Sequence, residues 1–293
     1  MPARRESAVA WPALLVVIAA AVQEVGAAFA VGLFAPLGVT GTVFARFAVA
    51  AVVLCVAVRP TVRGLTRHAY RSVAALSVSL TTMNLCFYEA LSRIPLGVAV
   101  TVEICGPLIL SVMLSRRRSG WAWAALAFAG VALLGLGRGH LPAWDALGLV
   151  LAAGAAIGWA GYILATAHAG RIFPSLDALA LASAIGAALT APAAAMSIDT
   201  RAAASWTVVG LAILVGLMCS VIPYSLELTS LRTLPPHVFA IVTSLSPAIA
   251  ALAGWVVLSQ RLGPTDYVAI GLVVTASIGA VRSQAATPPA PPG

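Results

Sequence analysis

Runs of about 20 apolar residues recur along almost the whole chain, each long enough to cross the hydrocarbon core of a bilayer. They fall at Trp11–Val31, Val39–Val58, Ser72–Leu91, Leu96–Leu114 and Trp121–Gly137. A second set follows at Trp144–Ala165, Leu176–Met196, Trp206–Leu228, His237–Leu258 and Thr265–Val281. Ten spans with gaps of a few residues leave no room for a soluble domain. Lipid offers the backbone no hydrogen-bond partners, so an all-α integral membrane protein is expected. Composition agrees, because 61% apolar against 9% charged residues is too little polar surface to coat a water-soluble particle. A mean hydropathy of +1.02 says the same. A soluble enzyme, a nucleic-acid-binding module and a disordered protein are excluded.

The formal charge of +8 does not point to nucleic acid. All 17 basic residues are Arg, and most sit in the short gaps between apolar runs. With the N-terminus cytoplasmic, twelve Arg collect on the cytoplasmic side, Arg116, Arg117 and Arg118 among them. Only Arg93, Arg138, Arg201 and Arg261 fall on the other side, and Arg46 lies within a span. Basic bias in short loops sets orientation, so both termini are expected inside the cytoplasmic membrane. Residues 1–10 form a cytoplasmic N-terminal segment, and the Pro-rich tail 283–293 is expected to be disordered. Arg4 and Arg5 before an apolar stretch imitate a signal peptide, but Gln23 and Glu24 interrupt it where the apolar region should close, so retention is expected.

The chain also repeats itself. Pro95–Pro107 (PLGVAVTVEICGP) aligns with Pro235–Pro247 (PPHVFAIVTSLSP), 140 residues later, and each segment opens a span after a short Arg-containing turn. Residues 11–137 and 144–281 then form two five-helix halves. An odd number of spans per half inverts the second copy, a recurring plan of secondary transporters with a midplane site.

Several stretches carry a family likeness. They are Ala45-Arg46-Phe47, Asn84 with Phe87-Tyr88, and Pro95–Leu108 in the first half. The second half adds GWAGYIL (Gly158–Leu164), PYSLEL (Pro223–Leu228), LRTLPPHVF (Leu231–Phe239) and SLSPAIAALAG (Ser244–Gly254). With these the chain resembles drug/metabolite transporters of the EamA type, most closely the threonine/homoserine exporter group. The resemblance implies ten helices in two EamA halves and export of small metabolites by alternating access. The chain departs from that group's usual pattern by being neutral at Ser246 and Gln260, and acidic at Glu24 and Glu89.

Ionisable groups at depth are costly and persist when they face a cavity or a partner. Glu24, Arg46, Glu89, Glu103 and Glu227 are such groups. Glu103 lies near mid-depth, and Pro107 one turn later cannot donate to its carbonyl, which leaves a site for an ammonium group or a proton. The same carboxylate could instead pair permanently with Arg46. Arg46 is able to bind a substrate carboxylate in bidentate fashion, or to neutralise Glu103 or Glu24. Glu24 follows Gln23 deep in the first span; Glu227 and Tyr224 belong to PYSLEL; Glu89 is set to pair with Arg93 at i+4. Asn84, with Tyr88 one turn on, either orients a zwitterion or hydrogen-bonds a neighbouring helix. Trp159 and Tyr162 could wall a cavity, while Gly154 and Gly158 permit close helix contact. Pro107 and Pro247 are the helix-breaking positions.

Cys55, Cys86, Cys105 and Cys219 lie in apolar runs without ligand spacing, so no disulfide, metal or cofactor is expected. The four His sit at span edges, which argues against a His proton relay, and phosphate-loop or hydrolase motifs are absent. The leading expectation is a secondary exporter of amino acids such as threonine or homoserine. Its partners would be a small-molecule substrate, the lipid bilayer, protons as a candidate coupling ion and a second copy in a homodimer, without nucleic acid. The rivals are an exporter of another solute, such as a drug-like cation, and a non-transporting membrane scaffold or enzyme.

Overall fold

Where no water competes for backbone groups, apolar runs rich in Ala, Val and Leu wind into helices. The computed structural model describes residues 2–61, 65–115, 118–136, 146–173, 176–223, 226 and 243–285. Tyr224, Glu227 and the stretch 227–242, which opens the second repeat copy, lie outside the described residues, as do Arg116, Arg117, His140 and the tail from 286. The helices are α1 (Pro2–Val31), α2 (Phe34–Val58), α3 (Arg67–Leu91), α4 (Leu96–Glu103), α5 (Cys105–Ser115) and α6 (Arg118–Leu136). They continue with α7 (Ala146–Ala169), α8 (Asp177–Ser197), the single turn α9 (Thr200–Ala203), α10 (Trp206–Gly216), α11 (Ser246–Leu258) and α12 (Pro264–Ala285). No strand occurs among the described residues. Among the described residues, four segments, Leu14–Val31, Phe34–Val58, Ala146–Ala169 and Asp177–Ser197, are long and apolar enough to cross a membrane.

Helix α3 is amphipathic in the sense a bilayer demands. Ser72, Ser77, Thr81 and Asn84 are buried among neighbouring helices, while Val78 and Tyr70 face outward. Serine and threonine hydroxyls inside such helices can turn back to their own backbone; Ser77 Oγ donates to the Val73 carbonyl at 2.7 Å.

Helices pair lengthwise as α2 on α8, α3 on α7 and α6 on α12, and α11 packs on both α1 and α4. Small residues permit the closest approaches, as van der Waals packing in lipid requires. A Cβ at Gly106 would stand 2.0 Å from the Ala156 carbonyl oxygen, and one at Gly158 would stand 2.8 Å from Met83 Cα. A Cβ at Gly97 would meet Ala251 Cα at 2.8 Å, so the first repeat segment lies flush on α11.

Four departures from regular helix shape the interior. Helix α2 starts at Phe34, earlier than the apolar run implies, because Gly38 turns inside it at φ 70°, a conformation that side chains resist. The carbonyls freed there are taken up by the Asp199 N–H, 3.1 Å from Pro36 O, and by the Ser197 hydroxyl, 3.3 Å from Leu37 O. The span at Leu96–Leu114 divides at Ile104, with Pro107 in the first turn of α5. A π-helical turn, Leu217–Val221, follows α10. A turn at Ser244 and Leu245 precedes α11, where Pro247 sits in the first helical turn.

Candidate functional site

The centre of the site is Arg46, midway along α2. Its Nε donates to Ser220 Oγ at 3.0 Å and its Nη2 to the Cys219 carbonyl at 2.6 Å, both in the π turn. Its Nη1 donates to Asn84 Oδ1 and, at 3.5 Å, to the Tyr88 hydroxyl on α3. The guanidinium carbon stands 5.7 Å from the centroid of the Tyr88 ring, in reach of a cation–π attraction. Asn84 is oriented for this task, since its Nδ2 donates to the Leu80 carbonyl at 2.8 Å and turns Oδ1 towards the arginine. Tyr88 is fully buried and is held edge-on by Phe34 and Phe87, with centroids 6.1 and 5.6 Å away. One arginine thus ties α2, α3 and the π turn together with charge-assisted bonds, the stronger class of hydrogen bond.

Beside it lies a cavity of about 80 Å³. Gln23, Glu24 and Ala27 of α1 form one wall, and Met83, Asn84, Phe87 and Tyr88 of α3 another. Val100 and Glu103 of α4, Trp159 and Tyr162 of α7, Arg46 and Cys219 complete it. Glu24 is buried; Glu103 is half-buried and is the last residue of α4 before the break at Ile104. The two carboxylates act electrostatically on each other, and Arg46 acts on both. The C-terminal end of α4 presents the negative pole of its dipole beside the Glu103 carboxylate, so both features favour a cation at that point. The opposite side carries the positive charge of the Arg46 guanidinium, set among the Asn84 amide and the Tyr88 hydroxyl. A small solute with one positive and one negative end matches this polarity.

Eight of the polar and aromatic residues singled out from sequence meet in this one cavity: Gln23, Glu24, Arg46, Asn84, Tyr88, Glu103, Trp159 and Tyr162. Pro107 stands one turn beyond Glu103, and Pro247 opens α11 without lining the cavity. Tyr224 and Glu227 lie outside the described residues. Neither neutral departure lines the cavity: Ser246 begins α11, and Gln260 Oε1 accepts from the Leu96 N–H at 3.0 Å, capping α4. Glu89 is half-buried elsewhere on α3. Two of the histidines, His68 and His168, meet through their Nε2 atoms at 3.0 Å on the exposed ends of α3 and α7. No group of three or more His, Cys, Asp or Glu able to hold a metal occurs among the described residues.

The acceptors in the π turn are absent from the sequence expectation. Cys219 is a buried small hydrophobe as its run implies, but its backbone carbonyl is what Arg46 engages. A π turn misaligns the carbonyls of one helical turn, and such turns recur at functional sites. Nothing in the side chains of Leu217–Val221 announces it. Met83, Phe87 and Val100 complete the wall as the apolar neighbours that any buried site needs.

Residues 146–282 match the EamA-like transporter family. The threonine/homoserine exporter RhtA of Escherichia coli (strain K12) is 32% identical over 283 residues, covering 95% of this chain and 94% of that protein. The threonine/homoserine exporter RhtA of Salmonella typhimurium (strain LT2) is 31% identical over 281 residues, again covering 95% of this chain and 94% of that one. A protein of known crystal structure superposes with a TM-score of 0.56 at 20% identity, over 92% of this chain and 96% of the other, which speaks for a shared fold alone. A likeness that runs the length of both sequences makes the conclusion plain: the chain belongs to the EamA-like transporter family, and is a multi-pass transporter of the cell membrane rather than an enzyme.

Proposed function

We propose that the protein exports small zwitterionic amino acids of the threonine and homoserine kind by alternating access. The observation that carries this is the polarity of the central cavity, with Glu24 and Glu103 facing Arg46, Asn84 and Tyr88. The ammonium group of an amino acid binds at Glu103, where the carboxylate and the end of α4 both attract a cation. Its carboxylate binds towards Asn84, Tyr88 and Arg46. Each charge-assisted hydrogen bond contributes about 1.5–3 kcal/mol, enough for two or three to select a zwitterion over a neutral solute. The names of the relatives support the substrate class.

The same proposal has ten spans in two inverted halves, 11–137 and 144–281, with both termini cytoplasmic. The family match over residues 146–282 supports the second half. Protons drive export, with Glu103 as carrier and Glu24 as its neighbour, because a buried carboxylate loses its desolvation cost when protonated. Tyr224 and Glu227 are assigned to the same pathway from sequence. The partners are the substrate, lipid, protons and a second copy in a homodimer, without nucleic acid.

Counterflow in proteoliposomes, across a panel of amino acids and organic cations, tests the assignment. Threonine and homoserine should exchange, and Arg46→Ala and Asn84→Ala should abolish that flux while leaving a monodisperse, helical protein. Amino-acid flux that survives both changes puts the zwitterion site elsewhere. A second reading, export of an organic cation, is favoured by one observation: two carboxylates face a guanidinium whose N–H groups are directed at protein acceptors. Flux of cations without amino acids in the same assay selects it.

A further inference from the structure

A second cavity, open and about 510 Å³ in volume, lies on the outer face of the α6–α12 pair, lined by Trp123, Thr275, Ile278, Gly279 and Arg282. The four α12 residues recur at three- and four-residue spacing, so they form one stripe along the helix. Gly271 continues the stripe one turn earlier, with nothing within 4 Å of where a Cβ would stand. From Gly271 to Arg282 the stripe runs roughly 16 Å, and its opposite side is the buried row Val273, Ala276 and Ala280. Gly279 forms the floor, pressed against the Trp123 ring so closely that a Cβ would lie 2.5 Å from it.

The groove is apolar along its length and charged at one end. Arg282, exposed in the last turn of α12, is the sole charged residue of its described wall. Helices α6 and α12 run antiparallel, because Trp123 meets Gly279 while Gly130 meets Ala269 and Val273. The start of α6, whose first residue is Arg118, therefore lies at the Arg282 end. A membrane-spanning protein presents this face to lipid. An acyl chain fits an apolar groove of this length, and a basic end fits an anionic headgroup, as basic pockets at helix ends do.

We infer that the α6–α12 groove is a binding site for an anionic phospholipid, with the acyl chain along Gly271–Gly279 and the phosphate at Arg282. The inference rests on the membrane embedding and not on the proposed substrate, so its test does not involve transport. Native mass spectrometry of the full chain in detergent, with added phosphatidylglycerol or phosphatidylcholine, reads it directly. Wild-type protein should retain phosphatidylglycerol in preference to phosphatidylcholine. Arg282→Gln should lower phosphatidylglycerol retention about fivefold, the typical worth of one basic residue at an anionic surface, and Arg282→Lys should keep most of it. Thr275→Trp, at an exposed position that fills the groove, should lower retention of the same lipid. Equal retention of both lipids, or retention unchanged by Arg282→Gln and Thr275→Trp, overturns the site. So does a dimer that Thr275→Trp dissociates, which would give the groove to a second copy of the chain.

Discussion

The segments Pro95–Pro107 and Pro235–Pro247 share a sequence pattern but do different work. In both, a turn precedes a proline that sits in the first turn of the next helix: Ile104 before Pro107, and Ser244–Leu245 before Pro247. What differs is the chemistry carried on that backbone. Glu103 faces the central cavity, whereas the aligned residue of the second segment is Thr243, and none of residues 243–247 lines it. Gly106 lets α5 press onto the Ala156 carbonyl, whereas its counterpart Ser246 carries a side chain. A broken helix at membrane depth is tolerated where protein encloses the freed groups. The two segments therefore teach that the turn before the proline is the common device and the carboxylate is the specialised one.

The strongest way to break that comparison is at the aligned pair. Glu103→Gln imitates the protonated carboxyl; in proteoliposomes it should remove pH-driven export, by tenfold or more at about 1.4 kcal/mol per decade, while substrate-for-substrate exchange falls by less, because the end of α4 and Glu24 still attract the ammonium group. Loss of both activities together makes Glu103 a binding residue only. Thr243→Val should change either rate less than about twofold, because the residue does not line the cavity, and an equal loss there would erase the distinction.

A smaller effect should appear in stability. Gly106→Ala drives a methyl into the backbone of α7 and should destabilise the detergent-solubilised protein by about 1–3 kcal/mol, the cost of overpacking. Ser246→Ala, which removes a hydroxyl and adds no volume, should cost about 1 kcal/mol or less. Thermal unfolding of the two variants side by side reads the difference, and equal melting points would mean that α7 yields.

The smallest expected effect sharpens the role of the prolines. Pro107→Ala and Pro247→Ala each occur in a first helical turn, where proline is tolerated and mainly restrains the unfolded chain, so each should cost less than about 1 kcal/mol. Only Pro107→Ala restores an N–H able to reach the Glu103 carbonyl, so only this variant should slow exchange. Spin labels placed on α4 and α5 would report whether the bend at Ile104 straightens.

Much of the fold was visible in the hydropathy of the chain, because lipid leaves helices as the simple solution for runs of this length. The polar residues that meet in the cavity were visible for the same reason, since Arg46, Asn84 and Glu103 stand out against an apolar background. The partners of Arg46 in the π turn were not. A backbone carbonyl such as that of Cys219 has no signature in residue identity, and a π turn in an apolar segment depends on how neighbouring helices load it. The start of α2 was obscured in a different way, because the glycine turn at Gly38 joins a preceding half-turn to the apolar run.

The arginine contacts also have a consequence for biogenesis. Asn84 follows Arg46 by 38 residues, but Ser220 follows it by 174. At a synthesis rate of about 5–20 residues per second, the Ser220 acceptor emerges roughly 9–35 seconds after the arginine. Asn84 and Tyr88 are synthesised well before Cys219 and Ser220, so a nascent chain meets its buried charge first with the acceptors of α3. The later acceptors arrive with the second half of the protein, so the hydrogen bonds around this buried charge are completed after most of the chain has been synthesised.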